Sequence, residues 1–529
     1  MRVANPFFMP KFLLVVLCCS LTFFNAGSQI FPKENSALNY RIVGFSFPTV
    51  PDENKYKIEI AAGNYHSVDS FKRNIFYSDY CKNKKIIAEV PSFGKQYTWR
   101  ITDDNAGSGG ELHHFSTAII PEVDTSQWRL RIVQEAAKHK DAYVFLDGNR
   151  ALYDMSGQPV WFLPDIDGFL TDKSKLRDMK LTNRGTITFI YEEIGAYEVN
   201  YNGDVLWKAP NNGAVSGSSS EYYHHEFTRL GNGHYMILGV EAQLWNKHVP
   251  AGTDLSGLGG HADADSSFMF THTDRDRHDS SDLGYMTLPF GTIIEYDEHG
   301  NVAWSWKSAD YFRRSDIYYH FEHGRPNPTA HENSFYFDED SKIIYLGFRN
   351  ISRVLKIKYP EGIVLNSYGE EFKADVPESG NGLFCRQHSV RRSDDGYLYL
   401  YNNNMCASGG GLPQIIKMKE PAPGSGQLKK IWEYDCTIDG LSADNHSTYR
   451  FPSGGNVIEL QDRSLFVNMS SVYSKVFIVS NKKDVLWSAI PEKWNPAQKR
   501  WDMVYQYRAS IIDQPDDLEN MIWQSEPVR

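Results

Sequence analysis

The sequence predicts an all-β protein: a six-bladed β-propeller preceded by a small N-terminal β-sandwich. Three observations lead there. A hairpin that closes on an aromatic residue returns six times, and a second hairpin keeps one polar residue at a fixed distance from its turn. The third is length: 529 residues exceed one layered domain of ~100 to 200 unless the architecture repeats. A composition of 41% hydrophobic and 14% aromatic residues excludes a mainly disordered chain.

The first element is not part of the fold. Arg2 and Lys11 precede the apolar run Phe12 to Phe24, which is shorter than the ~20 residues of a spanning helix. Residues 1–28 therefore read as a secretory signal, with Ala26-Gly27-Ser28 supplying the small residues near a cut. No later stretch is long and apolar enough to act as a membrane anchor, so the expected location is periplasmic or extracellular. The formal charge of −11 becomes −13 once Arg2 and Lys11 leave, and no long basic run exists. Nucleic acid is excluded as a partner on that footing. Export makes disulfides reasonable among Cys81, Cys385, Cys406 and Cys436, and the clustering of the last three favours one pair among them, with connectivity open. Sequons at Asn350, Asn445 and Asn468 read as accidental.

Residues 37–120 alternate apolar and polar positions with no helical period (YKIEIAAG, KKIIAEV, YTWRIT, HHFSTAII), the signature of the sandwich. The propeller is expected over 121–529. Its first hairpin pattern spans Leu152 to Trp161, Tyr197 to Trp207, Ile294 to Trp304, Leu355 to Tyr368, Ile415 to Trp432 and Phe477 to Trp487. The closing aromatics are 46, 97, 64, 64 and 55 residues apart, against the ~40 to 50 of a four-stranded blade. The long interval holds an insertion at about 243–285, rich in Gly, Asp and His. Asp274, Asp276 and Asp279 there lack the Gly and closing Glu of a calcium loop, so the segment reads as a solvated excursion or lid and no metal is expected.

The second pattern sets His225, His331, His388 and His446 eight residues before a turn, and Arg177 in the same slot before Gly185. Equal registers on propeller blades converge on one channel. The four histidines should therefore ring a common site.

Those elements resemble the arylsulfate sulfotransferases, exported enzymes that move a sulfuryl group between phenols without a nucleotide sulfate donor. The matching stretches are His225-Glu226 followed by Leu230 and Asn232-Gly233, then His331 to Ser334, Arg349, and Gln387-His388. The resemblance implies that His388 is the nucleophile that becomes sulfurylated, and that His225, His331 and Arg349 hold sulfuryl oxygens and manage protons. It also implies Asn333 as a supporting donor to substrate. His446 has no counterpart in the family's motifs and enters as a lining residue by register alone. The chain departs from the family in carrying Glu226 where Asp is usual, with a second His224 before the pair.

The chemistry of the residue types agrees. A neutral imidazole titrating near ~6.5 is a nucleophile without extreme tuning, and a guanidinium matches an oxyanion. A second histidine can protonate a leaving phenolate and deprotonate the acceptor. No cofactor is expected, since no phosphate-binding loop occurs. Partners are a phenolic sulfate donor and a phenol acceptor, and the sequence allows a homodimer. An acidic chain repels an anionic aryl sulfate at long range, so the pocket itself must be positive. Of Tyr222, Tyr223, Tyr318, Tyr319, Phe321, Phe348 and Phe384, two at most should touch an aryl ring, because propeller strands bury aromatics. Two other classes fit less well: a non-catalytic propeller binding sulfated or anionic ligands, and a metal-dependent propeller hydrolase, which Arg349 opposes by repelling a cation.

Overall fold

A computed structural model describes residues 30–47, 56–81, 85–103, 110–168, 175–192, 194–246, 285–312, 330–369, 383–405, 411–421, 428–437, 454–470 and 474–524. The expected signal, residues 247–284 of the insertion, His446, Asn445, Cys406, Tyr318, Tyr319 and Phe321 lie outside them.

The protein is all-β and propeller-like. Its N-terminal strands form a five-stranded sheet, in the order Ser36–Leu38, His113–Thr117, Gln96–Asp103, Tyr56–Ala62, Ile75–Cys81, and a two-stranded ladder of Ile42–Ser46 with Lys85–Glu89. The alternation read from the sequence puts Ile58, Ile60, Tyr97, Trp99 and Phe115 inward. That core is continuous with the next sheets. Tyr40 stacks on Tyr201 at 4.2 Å, Tyr201 donates to Ile42 O at 3.1 Å, and Trp161 Nε1 donates to Tyr201 O at 2.7 Å. The C-terminal helix Pro515–Trp523 presses on Gly44, where a Cβ would come within 2.8 Å of Ile522, so only glycine fits.

Six further sheets follow among the described residues. Four are consecutive meanders of four strands, opening with Leu176–Leu181, Tyr223–Arg229, Glu332–Asp338 and His388–Arg392. The next opens with Asn456–Glu459 and gains Arg500–Met503 and Trp128–Gln134 at its far edge. The remaining sheet pairs Tyr143–Leu146, Ala151–Asp154 and Pro159–Phe162 with Ala509–Ile512 from the other end of the chain. This pairing ties the two ends together, and the cost of closing so long a loop grows only slowly with its length. All six predicted aromatic-closing hairpins are outer strand pairs of these sheets. In the third, strands Tyr235–Asn246 and Tyr285–Tyr296 stay paired up to Asn246 and Tyr285, so the ladder runs into both ends of the expected insertion.

The opening strands of successive sheets lie against one another: Leu176–Leu181 against Ala509–Ile512 and Tyr223–Arg229, and so on through Glu332–Asp338 and His388–Arg392 to Asn456–Glu459. Four of them are bulged near their starts, with register shifts between Arg177 and Lys180, Tyr223 and Phe227, Glu332 and Ser334, and His388 and Arg391. At or beside each bulge one non-glycine residue takes positive φ: Asp178 at 56°, His225 at 60°, His331 at 57° and Ser389 at 54°. A bulge re-aims side chains, and such backbone costs of order 1 kcal/mol or more per residue. The recurrence of the distortion at one place in each strand marks the site.

Cys81 and Cys436 are buried free thiols, which removes Cys436 from the expected pairing, whereas Cys385 is disulfide-bonded. Asn468 is buried and its side-chain nitrogen donates to Gln506 O and Tyr507 O, an arrangement incompatible with a glycan there.

Candidate active site

The bulged strand starts bring His225, His331, His388 and Arg349 to one place. The His225 and His331 rings meet edge to face at 5.2 Å. Tyr507, in the segment leading into Ala509–Ile512, lies 5.5 Å from the His225 ring and 6.2 Å from the His388 ring. The Arg177 guanidinium covers the same tyrosine at 4.1 Å. Arg349 is tied in by its backbone, its N–H donating to His331 O at 2.9 Å.

His388 is buried and fixed at both ring nitrogens. Asn403 donates its Nδ2 to Gly454 O at 3.2 Å, which turns Oδ1 toward His388 Nδ1 at 2.6 Å. An amide oxygen only accepts, so Nδ1 carries the proton and Nε2 the lone pair. The Gly454 N–H donates to that Nε2 at 3.2 Å. Burial, then the charges of Arg349 and Arg508, hold the ring's pKa well below 6.5, against the opposing bond to Asn403. The ordinary value expected from sequence is thereby corrected: desolvation beside two guanidiniums keeps this imidazole neutral, the nucleophilic form, at any physiological pH.

Arg349 is held down to about 10 by burial and by Arg386, with Tyr507 and Tyr505 opposing. It stays cationic at neutrality. Its Nη1 donates to Asn350 Oδ1 at 2.9 Å, and among the described residues no carboxylate pairs with it. Arg349 is half-buried, and a partly desolvated cation without a counter-ion is costly, so a bound anion would relieve that cost.

Asn333 is buried beside the site and braces the backbone there. One N–H of its amide donates to Gln387 O at 2.6 Å, so it holds the chain immediately before His388. Tyr223, Phe348 and Phe384 are core side chains, as their burial shows, and Tyr222 lies 6.1 Å from His224. The eight-residue register behind His446 also changes. Gly454 is not a hairpin turn; the turn of that sheet is at 461–463, and eight residues before Arg463 stands Gly455. Gly454 instead faces the site, where a Cβ would lie 2.5 Å from Tyr507 O.

Tyr507 escaped the sequence reading because the closing sheet takes its inner strand from the C-terminus, so no hairpin turn follows it to reveal the register. Its hydroxyl is buried and has no hydrogen-bond partner among the described residues. Behind the ring of histidines lies a second tier of charge. Glu226 accepts from Lys180 at 3.0 Å, Arg391 at 2.9 Å and Arg508 at 2.6 Å, while Arg508 also donates to Asn333 O at 2.8 Å. Glu226 thus ties its own strand to Leu176–Leu181, to His388–Arg392 and to the segment just before Ala509–Ile512.

Glu332, next to His331, is buried with no partner for Oε1 among the described residues, and burial above all lifts its pKa to about 7, with Ser308 and backbone N–H groups opposing. A raised carboxyl favours the fold fully below its unfolded value near 4.5, and that advantage is lost as pH rises through about 7. Glu332→Gln, which cannot ionise, should match the parent in urea midpoint near pH 4.5. It should exceed the parent by about 3 kcal/mol at pH 8.5. Identical pH profiles for the two proteins would contradict this assignment.

Among the described residues, no group of three or more His, Cys, Asp or Glu is arranged to hold a metal ion. No helix among them is long and apolar enough to cross a membrane.

Residues 273–419 match the arylsulfotransferase (ASST) family model. The match supports the family that the motifs resemble, and with it aryl sulfotransferase activity in general. It takes in His331, Asn333, Arg349 and His388, whereas His225 and Tyr507 stand outside it. No curated protein matches the chain. Among solved structures, a protein of unknown function from Bacteroides caccae is 14% identical with a TM-score of 0.38, covering 73% of this chain and 100% of its own. A periplasmic gluconolactonase of Pseudomonas aeruginosa is 10% identical with a TM-score of 0.34, covering 73% and 99%.

Proposed function

We propose that this protein is an exported arylsulfate sulfotransferase built as a six-bladed propeller over 121–529 behind an N-terminal β-sandwich. It transfers a sulfuryl group from a phenolic sulfate ester to a phenol through a sulfohistidine on His388. The observation that carries this reading is the state of His388: a neutral imidazole with its Nδ1 proton held by Asn403 and its Nε2 lone pair beside an arginine that has no carboxylate partner among the described residues.

The Nε2 lone pair attacks sulfur and the S–O bond to the leaving phenol breaks, its electrons passing to the phenolate. Arg349 and Arg177 attract the sulfuryl oxygens, and the Tyr507 hydroxyl is a further donor within the same ring of residues. Preorganised donors of this kind supply the largest share of such rate enhancements. The Gly454 N–H must give up Nε2 for attack to occur, and that bond is already long. In the second half-reaction the acceptor phenol loses its proton to His225, attacks the sulfur, and frees His388.

Intact-mass and peptide mass spectrometry of protein incubated with 4-nitrophenyl sulfate alone tests the reading. The expected result is one sulfuryl adduct, on His388, discharged by added phenol. Transfer to phenol with no adduct, or with an adduct on another residue, would overturn the nucleophile, and binding without transfer would make the protein a binding module.

A further inference from the structure

We infer that His224 is a positioning residue that shares one proton with His225, so that the two imidazoles act as a single acid and base. This deepens the sulfuryl-transfer reading and rests on it. His224 is buried, its Nε2 lies 3.1 Å from Gly239 O, and its Nδ1 lies 2.6 Å from His225 Nδ1. The rings stand at 89° with centroids 4.7 Å apart. The positive φ of His225, 60°, permits adjacent residues to face each other in this way.

The hydrogen bonding follows from the partners. A carbonyl oxygen only accepts, so His224 Nε2 carries a proton. Two ring nitrogens at 2.6 Å need one hydrogen between them, and it can sit on either. With it on His225, His224 is neutral and His225 has a lone pair at Nε2, a base. With it on His224, that ring is an imidazolium donating to both Gly239 O and His225, and His225 carries its proton at Nε2, an acid.

The two forms differ by one proton on His225 Nε2, and the shared proton moves as that one is lost or gained, so the pair supplies in turn the acid and the base that the reaction needs. As the donor ester cleaves, His225 Nε2–H passes to the leaving phenolate oxygen, the electron pair stays on Nε2, and the shared proton moves from His224 Nδ1 to His225 Nδ1. When the acceptor phenol arrives, its O–H proton passes to His225 Nε2 and the shared proton returns to His224. Nothing else is consumed, and the charge lost by one partner at each stage appears on the other. His225 remains the catalytic residue, because it alone touches the reacting oxygen.

The test uses His224→Asn, whose Oδ1 replaces Nδ1 as an acceptor but cannot take up the shared proton. Two donors are compared at one pH with the same phenol acceptor. Nitrophenolate leaves without a proton, whereas phenolate, with a proton affinity like the ~10 of tyrosine, needs one. General acid catalysis contributes about 10²-fold or more, so the ratio of kcat/KM for 4-nitrophenyl sulfate to that for phenyl sulfate should rise about 100-fold in the variant. A structural role would slow both donors alike. An unchanged ratio in a variant that still forms the His388 adduct would overturn the shared-proton role alone. Absence of adduct and turnover in the parent protein would instead overturn the sulfuryl-transfer reading.

Discussion

His388→Asn is expected to abolish transfer from 4-nitrophenyl sulfate to phenol, lowering kcat/KM by about 10⁴-fold or more. The protein should stay folded, with a thermal midpoint within a few degrees of the parent. The side chain provides the ring nitrogen placed by Asn403 and Gly454 together, which asparagine lacks. Without a nucleophile the Arg349 site remains, so affinity for the sulfate ester should survive while turnover does not. Retention of full activity, with the fold intact, would remove His388 from the mechanism. The low pKa direction adds a second expectation: the step that needs neutral His388 gains nothing as pH rises from 6 to 8, because the ring is already deprotonated there.

Glu226→Gln is expected to cost about 3 to 5 kcal/mol of stability, the range for breaking a buried ionic network by removing one member. Glu226 is buried among Lys180 and Arg391, from two other strands, and Arg508, just before a third. Burial alone would raise its pKa, but the charges of Arg391, Arg508 and Lys180 win and hold it at about 2. The neighbouring Asp178 takes the opposite course, pushed up by burial and by Glu226 itself. A lowered carboxylate contributes stability above its unfolded value near 4.5 and loses it as pH falls through about 2. The urea-midpoint difference between parent and variant should therefore be constant from pH 5 to 8 and shrink below about 4.5. A variant as stable as the parent at pH 7 would show that Lys180, Arg391 and Arg508 are satisfied without it.

Much of this was legible in the chain. Turn glycines between alternating apolar runs specify hairpins locally, and all six aromatic-closing hairpins form between the residues expected. The register of His225, His331 and His388 against their turns was sufficient to bring them together, because sheets of equal build place equal positions alike. The same arithmetic failed at His446, where Gly454 and Gly455 mimic a turn but serve as close-approach positions against Tyr507 and Tyr401. It was silent at Tyr507, which has no turn of its own.

The sequence by itself determined the hairpins, their repetition and the identity of the polar side chains at the strand starts, since each depends on residues within about ten positions of one another. Only the tertiary structure decided what those side chains became. Asn333 became a brace on the chain before His388, and Glu226 a hub for three cations. Burial beside Arg349 decided that His388 is neutral, and the face-to-face nitrogens of His224 and His225 decided where a proton can rest. The reason is common to all of these. Desolvation and charge act through space among strands hundreds of residues apart, and no local pattern encodes which of them will meet.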